Sequence, residues 1–147
     1  MTITEVKSST FLADTIILLR DKLKTNITSV SSRVYTSYPS HDVIYPMISV
    51  TDRGIVQSQR LGMASEGTIL NMTVEIRIWA KSVKDRDEIT QEVYDYLRGN
   101  QLDTTTGLSD SNLHDFSLSS AVNVDEEGTA GIRSKVCEYK FMVIINA

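Results

Sequence analysis

Between Leu70 and Lys84 the hydrophobic period changes from two to about 3.6. Leu70, Met72, Val74, Ile76, Ile78 and Ala80 alternate with Asn71, Thr73, Glu75 and Arg77. Successive Cβ atoms of a strand point to opposite faces, so this spacing predicts a half-buried β-strand with one solvated face. Ile89, Val93, Tyr96 and Leu97 then recur at helical spacing, bounded by Ser82 or Asp85 before and Gly99 after. A strand that feeds straight into an amphipathic helix fixes a layer of sheet packed against a layer of helix.

The flanking chain extends the same plan. Residues 1–8 are polar and read as a flexible arm. Ser9 or Thr10 can cap a first helix running to about Thr25, with apolar positions Leu12, Ile16, Leu19 and Leu23, widened by Phe11 and Ile17. Val34 and Tyr35 suit a short extended piece, and Val43 to Val50 reads as a strand. Pro46 cannot donate to a ladder, so it belongs at an edge, at a bulge or near the strand start. Thr51 to Gly67 is polar and glycine-containing, and Ile55, Val56 and Leu61 suit a protruding hairpin. Asp85 with Glu88 has capping-box spacing, Ser82 with Asp85 offers a competing register, and Gly99 suits a left-handed cap.

Past the loop Asn100 to Ser111, Phe116, Leu118, Val122 and Val124 alternate with Ser117, Ser119 and Asn123 to give another strand. The last strand, Ser134 to Ile145, places Cys137, Tyr139, Phe141, Val143 and Ile145 on one face. The expected architecture is α+β: a mainly antiparallel sheet of four to five strands, with both helices on one face. The 147 residues suffice for one domain, 1–147, with its own core.

Chemistry is sparse. His41 and His114 each precede an aspartate, Asp42 and Asp115, but neighbours in extended chain face opposite ways and rarely form a dyad. Two histidines and the lone Cys137 give no metal-ligand spacing, and no glycine-rich phosphate loop lies between a strand and a helix. Cys137 alternates with core aromatics and reads as a small buried hydrophobe. Asp85, Asp87, Glu88 and Glu92 occupy early helical turns, where carboxylates favour the dipole. The net charge of −4 and the absence of a basic cluster argue against grasped nucleic acid. No cofactor, catalytic residue or membrane segment is expected. Trp79 stands on the polar side of its strand. Together with Val43, Tyr45 and Met47 at the edge near Val43 to Val50, it is a candidate subunit interface, and Trp79→Ala is expected to weaken association more than folding.

The order of elements resembles the tail terminator and tail-completion (head–tail joining) proteins of tailed bacteriophages. The resemblance rests on the N-terminal amphipathic helix, Tyr38-Pro39 leading into Val43-Ile-Tyr-Pro-Met-Ile-Ser-Val50, a long hairpin, Val74-Glu-Ile-Arg-Ile-Trp-Ala80, Lys81-Ser82, the helix Asp85 to Leu97 and two closing strands. It implies a non-enzymatic virion protein, assembled in the host cytoplasm, that forms a homo-hexameric ring. Such a ring ends the tail tube, meets the head connector or neck protein, and lets DNA pass without specific binding. On that expectation Arg53, Ile55, Arg60, Leu61 and Met63 are candidate tail-tube contacts, and Asp125, Glu126 and Glu127 candidate lumen residues. The competing expectation is a cytosolic ligand- or protein-binding module, such as a ferredoxin-like regulator, which would need a pocket with convergent polar groups.

Overall fold

A computed structural model describes residues 5–7, 9–40, 43–60, 67–100, 112–125 and 131–145. Helix α1 (Phe11–Asn26) is followed by a 3-10 turn (Thr28–Val30), then strands β1 (Val34–Tyr35), β2 (Met47–Arg60) and β3 (Thr68–Ala80). Helix α2 (Val83–Asn100) precedes β4 (His114–Asp125) and β5 (Arg133–Ile145). The strands form one sheet in the order β1-β2-β3-β5-β4. All pairings are antiparallel except β1 with β2. The fold is α+β with a mostly antiparallel sheet, and β3 is its central strand.

The alternation that predicts β3 is the one that builds the core. Met72, Val74, Ile76, Ile78 and Ala80 are buried, and Asn71 on the opposite face is exposed. Leu18, Leu19 and Leu23 of α1 and Ile89, Val93 and Leu97 of α2 join them, with Cys137, Tyr139, Phe141 and Val143 of β5. Both helices therefore cover the same face of the sheet. The helices are also tied to each other: Asn26 Nδ2 donates to Tyr96 Oη at 3.1 Å, and Ser29 Oγ donates to Glu92 Oε2 at 2.8 Å.

The two helix starts resolve their predicted caps differently. Thr10 precedes α1 without capping it through its own side chain. Asp14 reaches back instead, accepting from the Lys7 backbone N–H at 3.1 Å and the Thr10 hydroxyl at 2.6 Å. The buried stripe accordingly runs through Asp14, Thr15, Leu18, Leu19 and Leu23, and Leu12 is exposed rather than core. For α2 the Ser82 register wins, because Ser82 Oγ accepts from the Asp85 N–H at 3.1 Å. Gly99 lies inside the last turn of α2 and is not in the left-handed region, so the helix runs past its expected stop.

Three further expectations change. The arm is anchored at Val6, which is buried in the main core and whose C=O accepts from Asn112 Nδ2 at 3.1 Å. The strand expected over Val43 to Val50 begins only at Met47 and continues to Arg60, making the polar stretch the first strand of a long hairpin with β3. The β4 pattern is broken by a register shift between Leu118 and Ser120. An extra residue there moves the side-chain phase by one. Phe116 stacks on Tyr139 on the helix side, with ring centroids 5.3 Å apart. Val122 and Val124 instead sit opposite Val136 and Ser134, on the face without helices.

Burial shapes the chemistry of two core side chains. The Cys137 thiol is pushed up from its ordinary pKa, first by burial, which leaves it an unreactive core group. Among the described residues the Tyr139 hydroxyl is buried without a hydrogen-bond partner of good geometry, and burial foremost, then the adjacent Cys137 thiol, raises its pKa. Tyr139→Phe removes a desolvated hydroxyl and keeps the ring stack, so it is expected to raise unfolding free energy by about 1 kcal/mol. A denaturant titration showing equal or lower stability would assign that hydroxyl a partner in solution.

Candidate functional site

The face of the sheet opposite the helices carries the residues that the sequence singles out. Four candidate interface residues, Trp79, Met47, Val43 and Tyr45, converge there on a small apolar cluster with Ile132 and Tyr35. Met47 lies directly across the ladder from Trp79, and the segment ahead of β2 folds over both. Tyr38 meets the Trp79 ring edge-on, with centroids 5.0 Å apart, and shares a hydroxyl–hydroxyl hydrogen bond with Tyr45. Trp79 Nε1 donates to Ser49 Oγ at 3.4 Å.

This arrangement makes Trp79 only 8 % exposed in the isolated chain. Its first role is therefore inside the protomer, and the exposed aromatic of this cluster is Tyr38. The strand edge attributed to Val43 to Val50 is also partly occupied. Ile48 and Ser49 pair with Val34 and Tyr35 of β1. Arg33 holds the junction, its Nε donating to the Pro46 carbonyl at 2.9 Å and its own carbonyl accepting from the Ile48 N–H at 2.9 Å.

Arg77, predicted merely to be solvated, organises the rest of this face. Its guanidinium carbon lies 4.2 Å from the Trp79 ring centroid. Its Nε and Nη2 donate to Ser134 Oγ at 3.2 and 3.1 Å, and that hydroxyl donates to the Val124 carbonyl at 3.0 Å. One side chain thereby links β3, β5 and β4. Next to it Glu75 and Glu138 are directly opposed across the ladder, a like-charge pairing that costs stability on its own. Thr51 Oγ1 donates to Glu75 Oε2 at 3.0 Å, and Arg53 Nη2 lies 3.6 Å from Glu138 Oε1. The face is thus an apolar end at Trp79 continued by a compensated polar strip.

The candidate tube contacts fall into two groups. Arg53 sits in the root of the β2–β3 hairpin on its ion pair with Glu138, and Ile55 is half-buried against the main core. Arg60 ends β2, while Leu61 and Met63 lie outside the described residues. Of the candidate lumen residues, Asp125 ends β4 opposite Arg133, and Glu126 and Glu127 lie outside the described residues. His41 and Asp42 do as well. His114 Nε2 lies 3.1 Å from Asn112 Oδ1, and the adjacent Asp115 is exposed, so these two form no dyad.

The acidic start of α2 is a set of ion pairs. Arg86, almost fully buried, donates through Nε to Asp87 Oδ1 at 3.0 Å, and Lys135 Nζ reaches the same oxygen at 2.9 Å. The hydrogen bonds from Arg86 and then Lys135 hold the Asp87 carboxyl below its ordinary pKa. A lowered folded-state value means that the stabilisation is present above the unfolded pKa near 3.8 and is lost as the pH falls through the folded value. Asp87→Asn is expected to lower stability at pH 7 by about 1 kcal/mol, since Asp87 is half-exposed and solvent screens it. The difference from wild type should vanish once the pH falls below the lowered folded-state value. Thermal melts from pH 7 to pH 2 check this; a difference independent of pH would remove the ion pairs as its cause. Asp85 and Glu88 rim a depression of about 250 Å³ lined also by Ser29, Pro46 and Ile89. It is smaller than typical small-molecule sites. Among the described residues no group of three potential ligands could hold a metal ion.

Comparison with known proteins gives a likeness in fold alone. No family model matches the chain, and no curated protein matches it in sequence. Among solved structures, the chain is similar to a component of the virion of a native gene transfer agent particle, at 13 % identity and a TM-score of 0.57. The match covers 86 % of this chain and 91 % of the other.

Proposed function

We propose that this chain is a structural subunit of a phage-type virion, forming a ring that ends the tail tube and joins it to the head connector. The observation that carries the reading is the fold shared, over nearly the full length of both chains, with a component of a gene transfer agent virion. The order of elements that resembles tail terminators points the same way. The described side chains add structural pairs rather than catalytic ones: Asp87, Glu75 and Glu138 each answer a neighbouring donor or cation.

Within this reading the β2–β3 hairpin extends toward the tail tube. Arg53 and Ile55 fix its root on the sheet, and the segment from Arg60 through Leu61 and Met63 makes the contact. Asp125 at the end of β4, with Glu126 and Glu127 that follow it in sequence, lines the DNA passage, where negative charge keeps the duplex from adhering. The net charge of −4 is consistent with such a lining. Reversing these three residues to Lys is expected to leave assembly intact and create DNA binding that weakens steeply with salt.

The solution mass is the first experiment. A closed ring of about six copies is expected from sedimentation equilibrium, because cyclic repetition of one head-to-tail contact closes at a fixed number. A monomer with a melting temperature raised by a small molecule would support the ligand-binding module instead.

A further inference from the structure

The outermost strand β4 carries little of what normally protects a sheet edge. It borders the sheet, and among the described residues no strand pairs with its outer side. From Ser117 to Val124 it has neither a charge nor a proline. Leu118 and Val122 are 43 % and 54 % exposed, and the register shift between them puts one on each face. Folded proteins commonly blunt free edges with charge, proline or a cover. An uncharged edge with apolar side chains on both faces fits a strand supplied by a partner.

The sheet's other border offers that strand. β1 pairs with β2 only at Ile48 and Ser49, so among the described residues the outer side of β2 is open from Thr51 to Arg60. Strand directions also agree. Each step from β2 through β3 and β5 to β4 is antiparallel, so β4 runs opposite to β2. Copies repeated around one axis would therefore bring β4 of one copy antiparallel to β2 of the next. Followed along the ladders, Ser120 is level with Thr51, and Val124 is level with Met47. Placing Ser117 to Val124 against the open part of β2 needs a slide of about six residues over the four strands β2, β3, β5 and β4, because β1 lies on the same outer side of β2 as the incoming strand. That is about 1.5 residues per strand, a stagger of the kind that closing a sheet on itself requires.

We infer that β4, from Ser117 to Val124, is the docking edge for β2, from about Arg53 to Arg60, of a second copy of this chain, so that the sheets of neighbouring subunits join into one closed sheet. The inference rests on the ring reading and specifies its contact. Leu118 and Val122 would then pack along the neighbour's strand on the two faces of the junction. The uncharged run Val56 to Gln59 of β2 suits the uncharged edge it meets.

The test combines mass and amide exchange on the full chain. Wild type is expected to sediment as the ring, with amides of both segments exchanging about 100-fold more slowly than in a monomeric variant. The variant is Leu118→Lys with Val122→Lys, two exposed positions at which lysine should spare the fold and block strand addition. It is expected to be monomeric, with unchanged circular dichroism. A double-lysine ring, or a wild-type ring in which either segment exchanges rapidly, would overturn the inference and leave the ring reading standing. Should the variant fail to fold, exchange in wild type alone decides. A wild type that stays monomeric at about 100 μM removes both the ring and this contact.

Discussion

Ile76→Asp is expected to abolish the native fold. Ile76 is fully buried at the middle of the central strand, opposite Val50 on one side and Cys137 on the other. Both helices cover this face, so the aspartate could neither reach water nor find a cation in the apolar cluster around it. A buried unpaired charge costs several kcal/mol even after relaxation. Adding the lost packing of the isoleucine brings the loss to about 5 kcal/mol or more, comparable with the whole stability of a domain this size. The expected result is loss of the cooperative thermal transition and of native circular dichroism. Retention of both would mean that β3 does not place this residue in the core.

Trp79→Ala is the second large effect, and it is expected to act first on folding. The indole packs with Met47 and Ile132, carries the edge of Tyr38 and the guanidinium of Arg77, and donates to Ser49. Truncating a buried tryptophan typically costs about 3–5 kcal/mol. Loss of the ring also releases the segment before β2, whose Val43 and Tyr45 rest on the same cluster. Denaturant titration of wild type, Trp79→Ala and Trp79→Phe should give a large loss for alanine and a smaller one for phenylalanine. If alanine left unfolding unchanged but lowered the oligomer mass, Trp79 would belong to a subunit contact, as its place on the polar face of the strand first implies.

The two outcomes differ because one period is legible in sequence and one tertiary fold-over is not. From Met72 to Ile78 β3 is buried on one face and half-buried on the other, so alternation there maps directly onto burial. Helix α2 is legible for the same reason. In β2, by contrast, the stretch from Thr51 to Gln59 has no apolar face, and its strand is imposed by backbone pairing with β3. β4 misleads more subtly. The shift between Leu118 and Ser120 leaves no mark in composition, yet it reverses which face Val122 occupies. In α1 the aspartate at position 14 looks like a surface residue, but it turns inward to serve Lys7 and Thr10, which rotates the buried stripe away from Leu12.

The candidate surface was legible as a set and not as an arrangement. Trp79, Met47, Val43 and Tyr45 do come together, because Met47 pairs with Trp79 and the preceding segment folds over them. Burial within the protomer could not be read, since it depends on Tyr38 and Ile132 arriving from separate parts of the chain. Nothing in the sequence singles out Arg77, because an arginine on a polar strand face usually meets only water. Its stack on Trp79 and its hydrogen bonds to Ser134 need two neighbours set by the ladder.

The central claim is that the chain caps a growing tail tube, and tube length measures this most directly. Phage tail-tube subunits would be polymerised with and without this chain and imaged by electron microscopy. The account predicts tubes that carry a ring of about six copies at one end and no longer elongate from that end when fresh subunits are added. Tubes that bear no ring and elongate from both ends as fast as before would contradict it.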